Sequence, residues 1–418
     1  MTNTLMEAIC APQNIAAAVQ AVVRNKGAAG VDGMTVDDLP DVLAARWPEI
    51  ERSLLEGRYQ PQPVRRVMIP KPGGGERALG IPTVLDRTIQ QAVLQQLQPL
   101  WDPTFSQHSY GFRPGRSAHQ AVRRAHGYVL EGYQFVVDID LAKFFDRVNH
   151  DRLMAAVAAR VSDRRVLRLI RSALTAGVLC DGLVEASPEG TPQGGPLSPL
   201  LSNLVLDELD RELERRGHRF VRYADDCNIY VRSEQAGQRV MASITRFIET
   251  RLKLQVNAAK SAVGRPWERS FLGFTMRKGR TTIQRCVAPK AIDRFKSRVR
   301  ELAGRNRGIS LARMIRDLRP VLRGWAGYFG LSQSNELASL DKWVRRRLRC
   351  VAWVHWKTQR RRIAELCRLG VTRARACAVT SSPKGPWRLS ASPPMHTAFT
   401  KARFHALGLV SMADFAKA

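Results

Sequence analysis

No run of apolar residues in this 418-residue sequence approaches the ~20 that a membrane-spanning helix requires. The first ten residues, MTNTLMEAIC, lack the basic start and apolar centre of a secretory signal. A cytoplasmic protein without a membrane partner is therefore expected. The seven cysteines (Cys10, Cys180, Cys227, Cys286, Cys350, Cys367 and Cys377) are scattered and never spaced as CxxC, which argues against a zinc module or a disulfide framework. They read as reduced core thiols. Internal repeats and low-complexity tracts are absent too. Acids are scarce: 37 Asp and Glu stand against 67 Lys and Arg, a net charge of +30. A chain this basic favours a polyanionic partner, nucleic acid above all, through counterion release.

With 44% apolar residues, the chain has the composition of a folded protein, and its length allows two or three domains. Residues 5–58 read as helical pieces interrupted by the Gly-rich loop Lys26–Gly33. Two short strand-like segments, Pro63–Pro70 and Arg77–Ile81, flank the turn Lys71-Pro-Gly-Gly-Gly75, giving a β-hairpin that carries Arg65, Arg66, Lys71 and Arg77. Val84–Leu100 has helical spacing, Phe135–Ile139 is a β-branched strand, and Phe220–Val231 holds two apolar runs around Ala224-Asp225-Asp226. Strands alternating with helices imply an α/β or α+β body. From Lys290 onward there are 28 Lys and Arg against 7 acids, so this third of the chain carries +21 of the +30. Its apolar residues keep helical spacing, which predicts a helical domain with a basic face and a boundary near 288. The stretch 380–394 reads as an ordered loop before a last short helix.

Three aspartates stand out. Asp140 ends an apolar strand, and Asp225 and Asp226 occupy a hairpin tip. Carboxylates at the ends of buried strands repel one another unless a cation intervenes, and hard oxygen ligands of this kind suit Mg2+. A two-metal phosphoryl-transfer site is the direct inference. An Asp-Asp pair alone is more readily a turn; the surrounding blocks decide. Tyr223-Ala-Asp-Asp226 resembles the YxDD box of reverse transcriptases, and Asp140-Leu-Ala-Lys-Phe-Phe145 resembles the motif that precedes it. The stretches Ser109–Ser117 (SYGFRPGRS), Gly190–Pro199 (GTPQGGPLSP), Leu254–Ser261 and Phe271–Phe274 follow in the family's order.

The wording of these blocks resembles bacterial group II intron-encoded reverse transcriptase/maturases, and Leu318–Tyr328 is similar to their maturase domain. The chain ends without a His/Cys-rich nuclease, which resembles the short class lacking an endonuclease domain. The resemblance implies an α+β right-hand polymerase, with fingers and an antiparallel palm sheet followed by an α-helical thumb/maturase domain. The corresponding divisions are 1–58 (N-terminal extension), 59–287 (fingers and palm), 288–375 (thumb/maturase) and 376–418 (nucleic-acid-binding segment).

By the same resemblance, Asp140, Asp225 and Asp226 hold two Mg2+ ions, with Mn2+ as a substitute. Asp138 shares their face of the strand and reads equally as a supporting carboxylate. Phe145 packs under the deoxyribose and selects dNTPs, or is a core aromatic. Lys71 and Arg77 lie on the hairpin that closes over the nucleotide, or on a solvated turn. Gln193 approaches nucleotide or template, and Arg113 either does likewise or makes a structural salt bridge. Lys260 resembles the proton donor to pyrophosphate, or is simply exposed. Arg345, Arg346, Arg347 and Arg349 are the expected nucleic-acid face of the basic helices.

Expected partners are intron and template RNA, a DNA primer and target DNA, and dNTPs, in a bacterial cytoplasm with nucleoid association on DNA. Two other functions use the same sequence: a domesticated reverse transcriptase of DNA repair or phage defence, and a non-catalytic RNA-binding splicing factor. The three intact aspartates argue against the latter.

Overall fold

Apolar residues at helical spacing produce the first helices. Helices α1 (Leu5–Cys10), α2 (Pro12–Asn25) and α3 (Leu39–Leu55) bury Met6, Ile9, Ala18, Ile50 and Leu54. Pro12 opens α2 in its first turn, where a missing N–H leaves no hydrogen bond unmade. The computed structural model describes residues 4–70, 74–180, 183–185, 190, 194–279 and 282–416. By packing, the chain divides into two units, residues 1–265 and 266–418.

In the first unit, β1 (Val64–Pro70) and β2 (Glu76–Ile81) form the expected hairpin, with Arg65 opposite Ile81 and Ile69 opposite Arg77. The helix α4 (Val84–Trp101) follows, its N-terminus capped by Thr83, whose hydroxyl accepts the Asp86 N–H. Then come α5 (Ala118–Leu130), β3 (Phe135–Ile139), α6 (Phe144–Arg147), α7 (His150–Ala158), α8 (Arg164–Thr175), β4 (Val178–Cys180) and β5 (Leu183–Glu185). The chain continues through α9 (Ser198–Arg215), β6 (Arg219–Tyr223), β7 (Asp226–Val231), α10 (Glu234–Phe247) and β8 (Ala262–Gly264).

Two four-stranded sheets result. One runs β2-β1-β4-β5, with β1 and β4 parallel and the other pairs antiparallel. The other, β6-β7-β3-β8, is antiparallel throughout. Helices α5, α9 and α10 pack against this second sheet. Its central strands bury Val137, Ile139, Cys227 and Ile229 in the main core. Burial fixes the register, because a one-residue slip would turn every core side chain outward.

The second unit opens with the hairpin β9 (Phe274–Lys278) and β10 (Ile283–Val287) and is otherwise helical. Its helices are α11 (Pro289–Leu302), α12 (Leu311–Phe329), α13 (Glu336–His355), α14 (Gln359–Arg368), α15 (Arg373–Thr380), α16 (Pro386–Leu389), α17 (Pro393–Ala398), α18 (Lys401–Ala406) and α19 (Met412–Phe415). The division at 265 falls before the expected 288, and packing supplies the reason. Phe274 lies 5.1 Å from the Phe329 ring, and the Tyr328 hydroxyl donates to the Leu272 carbonyl at 2.8 Å, so the hairpin joins the helices. Residues beyond 376 belong to this unit as well: buried Asp341 accepts the Met412 and Ala413 N–H groups and the Ser411 hydroxyl. The stretch 380–394 is not a plain loop, since Pro386 and Pro393 each start a short helix. No helix among the described residues is long and apolar enough to cross a membrane.

Candidate active site

The site is built at one end of the second sheet. Strands β3 and β7 pair antiparallel with Asp138 opposite Asn228 and Ile139 opposite Cys227. One step further along that register, Asp140 reaches the level of Asp226, where β7 begins. Asp225 lies in the turn that joins β6 to β7, in which Tyr223 pairs with Asp226 and Ala224 takes the left-handed φ of 56°. Asp140 is held by its backbone: its N–H donates to the Ser261 hydroxyl at 3.0 Å, and its carbonyl accepts from the Asn257 N–H at 2.8 Å. The segment Leu254–Ser261 thus sets the position of the first aspartate.

Electrostatics report how the carboxylates meet. The Asp226 carboxyl is pushed up to about 7, first by desolvation and then by repulsion from Asp225, Asp138 and Asp140, with Lys260 opposing. Because Asp226 is exposed by surface area, the repulsion is the more informative cause. Four carboxylates share one field. Lys260 places its ammonium 3.5 Å from the Asp140 carboxylate while remaining largely exposed. Among the described residues, no three His, Cys, Asp or Glu side chains are already gathered as a metal cage. Mg2+ keeps several waters and completes its shell with substrate phosphate oxygens, so carboxylates at strand ends fit it without such a cage.

Behind the turn sits a residue that the motifs do not reveal. Arg222, on β6, is fully buried. Its guanidinium pairs with Asp210 of α9 and donates to Asn203 Oδ1, to the Ser109 hydroxyl and to the Ala224 carbonyl at 2.9 Å. One arginine therefore ties α9 and the Ser109–Ser117 stretch to the turn that carries Asp225. A single sequence signal marks it: a charged residue inside the apolar run Phe220-Val-Arg-Tyr223. On the neighbouring stretch, a Cβ at Gly111 would lie 2.3 Å from the Ala224 N, so only glycine permits this approach. The Gly111 carbonyl in turn accepts from Asn203 Nδ2 at 2.9 Å.

Phe145 follows in the short helix α6, half-buried and packed on the main core, its ring 5.3 Å from that of Phe144. Gly190 presses on the same segment: its φ is 95°, and a Cβ there would come 2.9 Å from the Phe145 carbonyl. His150, buried, holds Gly190 through a 2.6 Å Nε2–H donation to the glycine carbonyl. Gly194 closely approaches the Gly80 carbonyl of β2. The glycine block therefore bridges the Phe145 segment and the hairpin. Gln193 itself, like Lys71, lies outside the described residues, and Arg77 is placed by its backbone on β2.

Arg113 resolves toward its structural alternative. It is buried and pairs with Asp102 at 2.8 Å, and its remaining nitrogens donate to the Asp102, Ser106 and Ser109 carbonyls. A guanidinium so engaged has no donor left for a nucleotide. The arginines of the expected basic face on α13 also make contacts within the helical unit. Arg346 stacks over Trp387 at 4.3 Å, Arg347 donates to the Arg300 carbonyl, and Arg349 is buried beside His396. These arginines join the packing of the helical unit because their long stems cover apolar surface. Arg345 is half-buried.

A family model described as reverse transcriptase (RNA-dependent DNA polymerase) matches residues 69–276, and one described as the group II intron maturase-specific domain matches residues 292–368. Protein YkfC of Escherichia coli (strain K12) is 36% identical over 218 residues, covering 51% of this chain and 57% of that protein. The group II intron-encoded protein LtrA of Lactococcus lactis subsp. cremoris is 36% identical over 166 residues, covering 39% of this chain and 27% of that one. The matches thus span just over half of the first relative and about a quarter of the second. A solved structure titled "Partial Cas6-RT-Cas1--Cas2 complex" is 26% identical, with a TM-score of 0.38, covering 59% of this chain and 42% of that chain.

Proposed function

The chain belongs to the group II intron reverse transcriptase/maturase family, and on that footing we propose that it extends a DNA primer along an RNA template. In the reaction, the primer 3′-hydroxyl oxygen bonds to the α-phosphorus of a dNTP, the bond to pyrophosphate breaks, and the hydroxyl proton is lost. Asp140, Asp225 and Asp226 would hold two Mg2+ ions. When bound, the ions supply Lewis-acid activation of the hydroxyl and neutralise charge on the triphosphate and leaving group.

The chain's own groups do the rest. Lys260, 3.5 Å from the Asp140 carboxylate, hands a proton to departing pyrophosphate in this reading. Phe145 fills the space that a ribose 2′-hydroxyl would need. Arg77 on the hairpin, with Lys71, pairs with the triphosphate. Gln193, within the glycine block, approaches the nucleotide or template. The basic helical unit grips the template–primer duplex and folded intron RNA, whose A-form helices are recognised by shape and phosphate. In this reading the protein assists splicing of its intron and copies the intron RNA at a DNA target.

One observation supports the proposal above the others: Asp138, Asp140 and Asp226 come together at one end of the antiparallel β3–β7 pair, with Asp225 in the adjoining turn, near enough that the other three carboxylates add to desolvation in raising Asp226. An apo cluster of this kind is unfavourable without cations, so a purely structural role has no account. Primer extension on an RNA template with Mg2+, comparing the wild type with Asp225→Ala, tests it. Extension by the wild type alone is expected; equal extension by both proteins would overturn the polymerase reading.

A further inference from the structure

Phe112 is exposed where its neighbours are locked. Its φ of 57° lies in the left-handed region, a strained conformation for a bulky aromatic residue, and 47% of its surface is open. Burial therefore does not account for the strain. A turn at this position would be served with less strain by Gly or Asn. On one side, Gly111 is fixed against Ala224 and by Asn203. On the other, Arg113 is anchored to Asp102 and to the Ser109 carbonyl. Tyr110, just before, donates its N–H to the Arg222 carbonyl at 2.9 Å. The residues on both sides of Phe112 are thus anchored. The ring faces Tyr223, the residue that opens the catalytic turn, with centroids 6.5 Å apart and planes tilted by 44°.

We infer that Phe112, beside Tyr223, is a preorganised stacking surface for the terminal nucleotide of the primer. The inference rests on the polymerase reading above and adds to it a contact outside the carboxylates. Chemistry selects the occupant. The reacting 3′-hydroxyl must lie at Asp225 and Asp226, two and three residues along the chain from Tyr223, and the sugar and base attached to that hydroxyl are the groups within reach of an aromatic ring here. Every base offers a π-face, so such a surface supports extension of any sequence. The left-handed backbone is the device that presents the ring toward the turn instead of the core.

The experiment compares the wild type with Phe112→Gly and Phe112→Tyr. Glycine suits the positive φ, so that variant should fold at least as well as the wild type while lacking the ring; tyrosine keeps the ring. Phe112→Gly is expected to raise KM for a matched primer–template about tenfold while changing kcat little, and Phe112→Tyr to restore it. An abasic site at the primer terminus should penalise the wild type more than Phe112→Gly. Equal KM values for the wild type and Phe112→Gly would overturn the inference. So would a selective response to an abasic site in the template strand, which would assign the ring to the template base. Absence of extension by the wild type would count against the polymerase reading instead, so the two failures are separable.

Discussion

Arg222 and Asp210, twelve residues apart, form a fully buried two-pronged ion pair behind the turn that carries Asp225, with Nη2–Oδ2 at 2.6 Å and Nε–Oδ1 at 2.7 Å. The same guanidinium donates to the Ala224 carbonyl, so the pair connects the stability of α9 to the shape of the turn. Removing one partner leaves a buried charge unmatched, which costs about 3–5 kcal/mol. Arg222→Met and Asp210→Asn should each lower the unfolding free energy by that amount, read from denaturant titration, and reduce primer extension. The double variant Arg222→Met/Asp210→Leu should recover much of the stability but not the extension, because Ala224 still lacks its donor. Equal recovery of both would separate the pair from the turn.

Asp163 makes a comparable junction at the N-terminus. It caps α8 by accepting the Arg165 N–H, accepts the Met6 N–H from α1 at 3.1 Å, and pairs with the Arg165 guanidinium, which also binds Glu7. Burial alone would raise its pKa, but Arg165 and the Met6 N–H outweigh that and hold it below the ordinary 3.8. Glu7 is held low by the same arginine. A carboxylate depressed in the fold contributes stability above its unfolded pKa and loses it as pH falls through the folded value. Asp163→Ala should cost about 2–4 kcal/mol at neutral pH. Below about pH 4 the wild type should lose stability more steeply than the variant, as urea titrations across pH will register.

The readable and unreadable parts of this site differ in kind. Asp140, Asp225 and Asp226 were legible because chemistry forces carboxylates to strand ends, and the strands announce themselves by β-branched runs. The hairpin at Val64–Ile81 and the helix at Val84–Trp101 followed from turn residues and periodicity. Arg222, Asn203 and Asp210 were not legible, since their partners lie on other elements and a charged residue in a strand does not name its counter-ion. The packing contacts of Arg346, Arg347 and Arg349 were hidden for a related reason. Helical spacing identifies a face but not whether another helix meets it; here α16 meets Arg346, α11 meets Arg347 and α17 meets Arg349.

Phe145 and Gly190 are coupled through the backbone. If Phe145 has the proposed role, Phe145→Ala or Phe145→Val should increase ribonucleotide incorporation while DNA synthesis persists. Gly190→Ala acts from the other side, where a Cβ 2.9 Å from the Phe145 carbonyl at φ 95° must displace α6. That variant should lower extension and also blunt dNTP selectivity, measured as the ratio of kcat/KM for dNTP and rNTP. Unchanged selectivity in all three variants would remove Phe145 from the nucleotide pocket.

Arg349 offers the sharpest contrast between stability and binding. It is 6% exposed, its Nε has no hydrogen-bond partner, and its contact is a 3.4 Å approach to His396 Nδ1. Desolvation first, and then the nearby Arg345 and Arg346, push its pKa down to about 10, and no carboxylate among the described residues pairs with it. A buried cation without a counter-ion opposes folding, and an apolar side chain of similar length should be more stable there. Arg349→Met should therefore leave the Tm unchanged or raise it. If the arginine is retained to meet a nucleic-acid phosphate, the same variant should bind RNA more weakly, and the slope of log K against log salt should fall by about one. A higher Tm with unaltered RNA affinity would leave the cation without a binding role, and the basic contribution to RNA recognition would then have to come from exposed residues such as Lys290, Arg294 and Lys342.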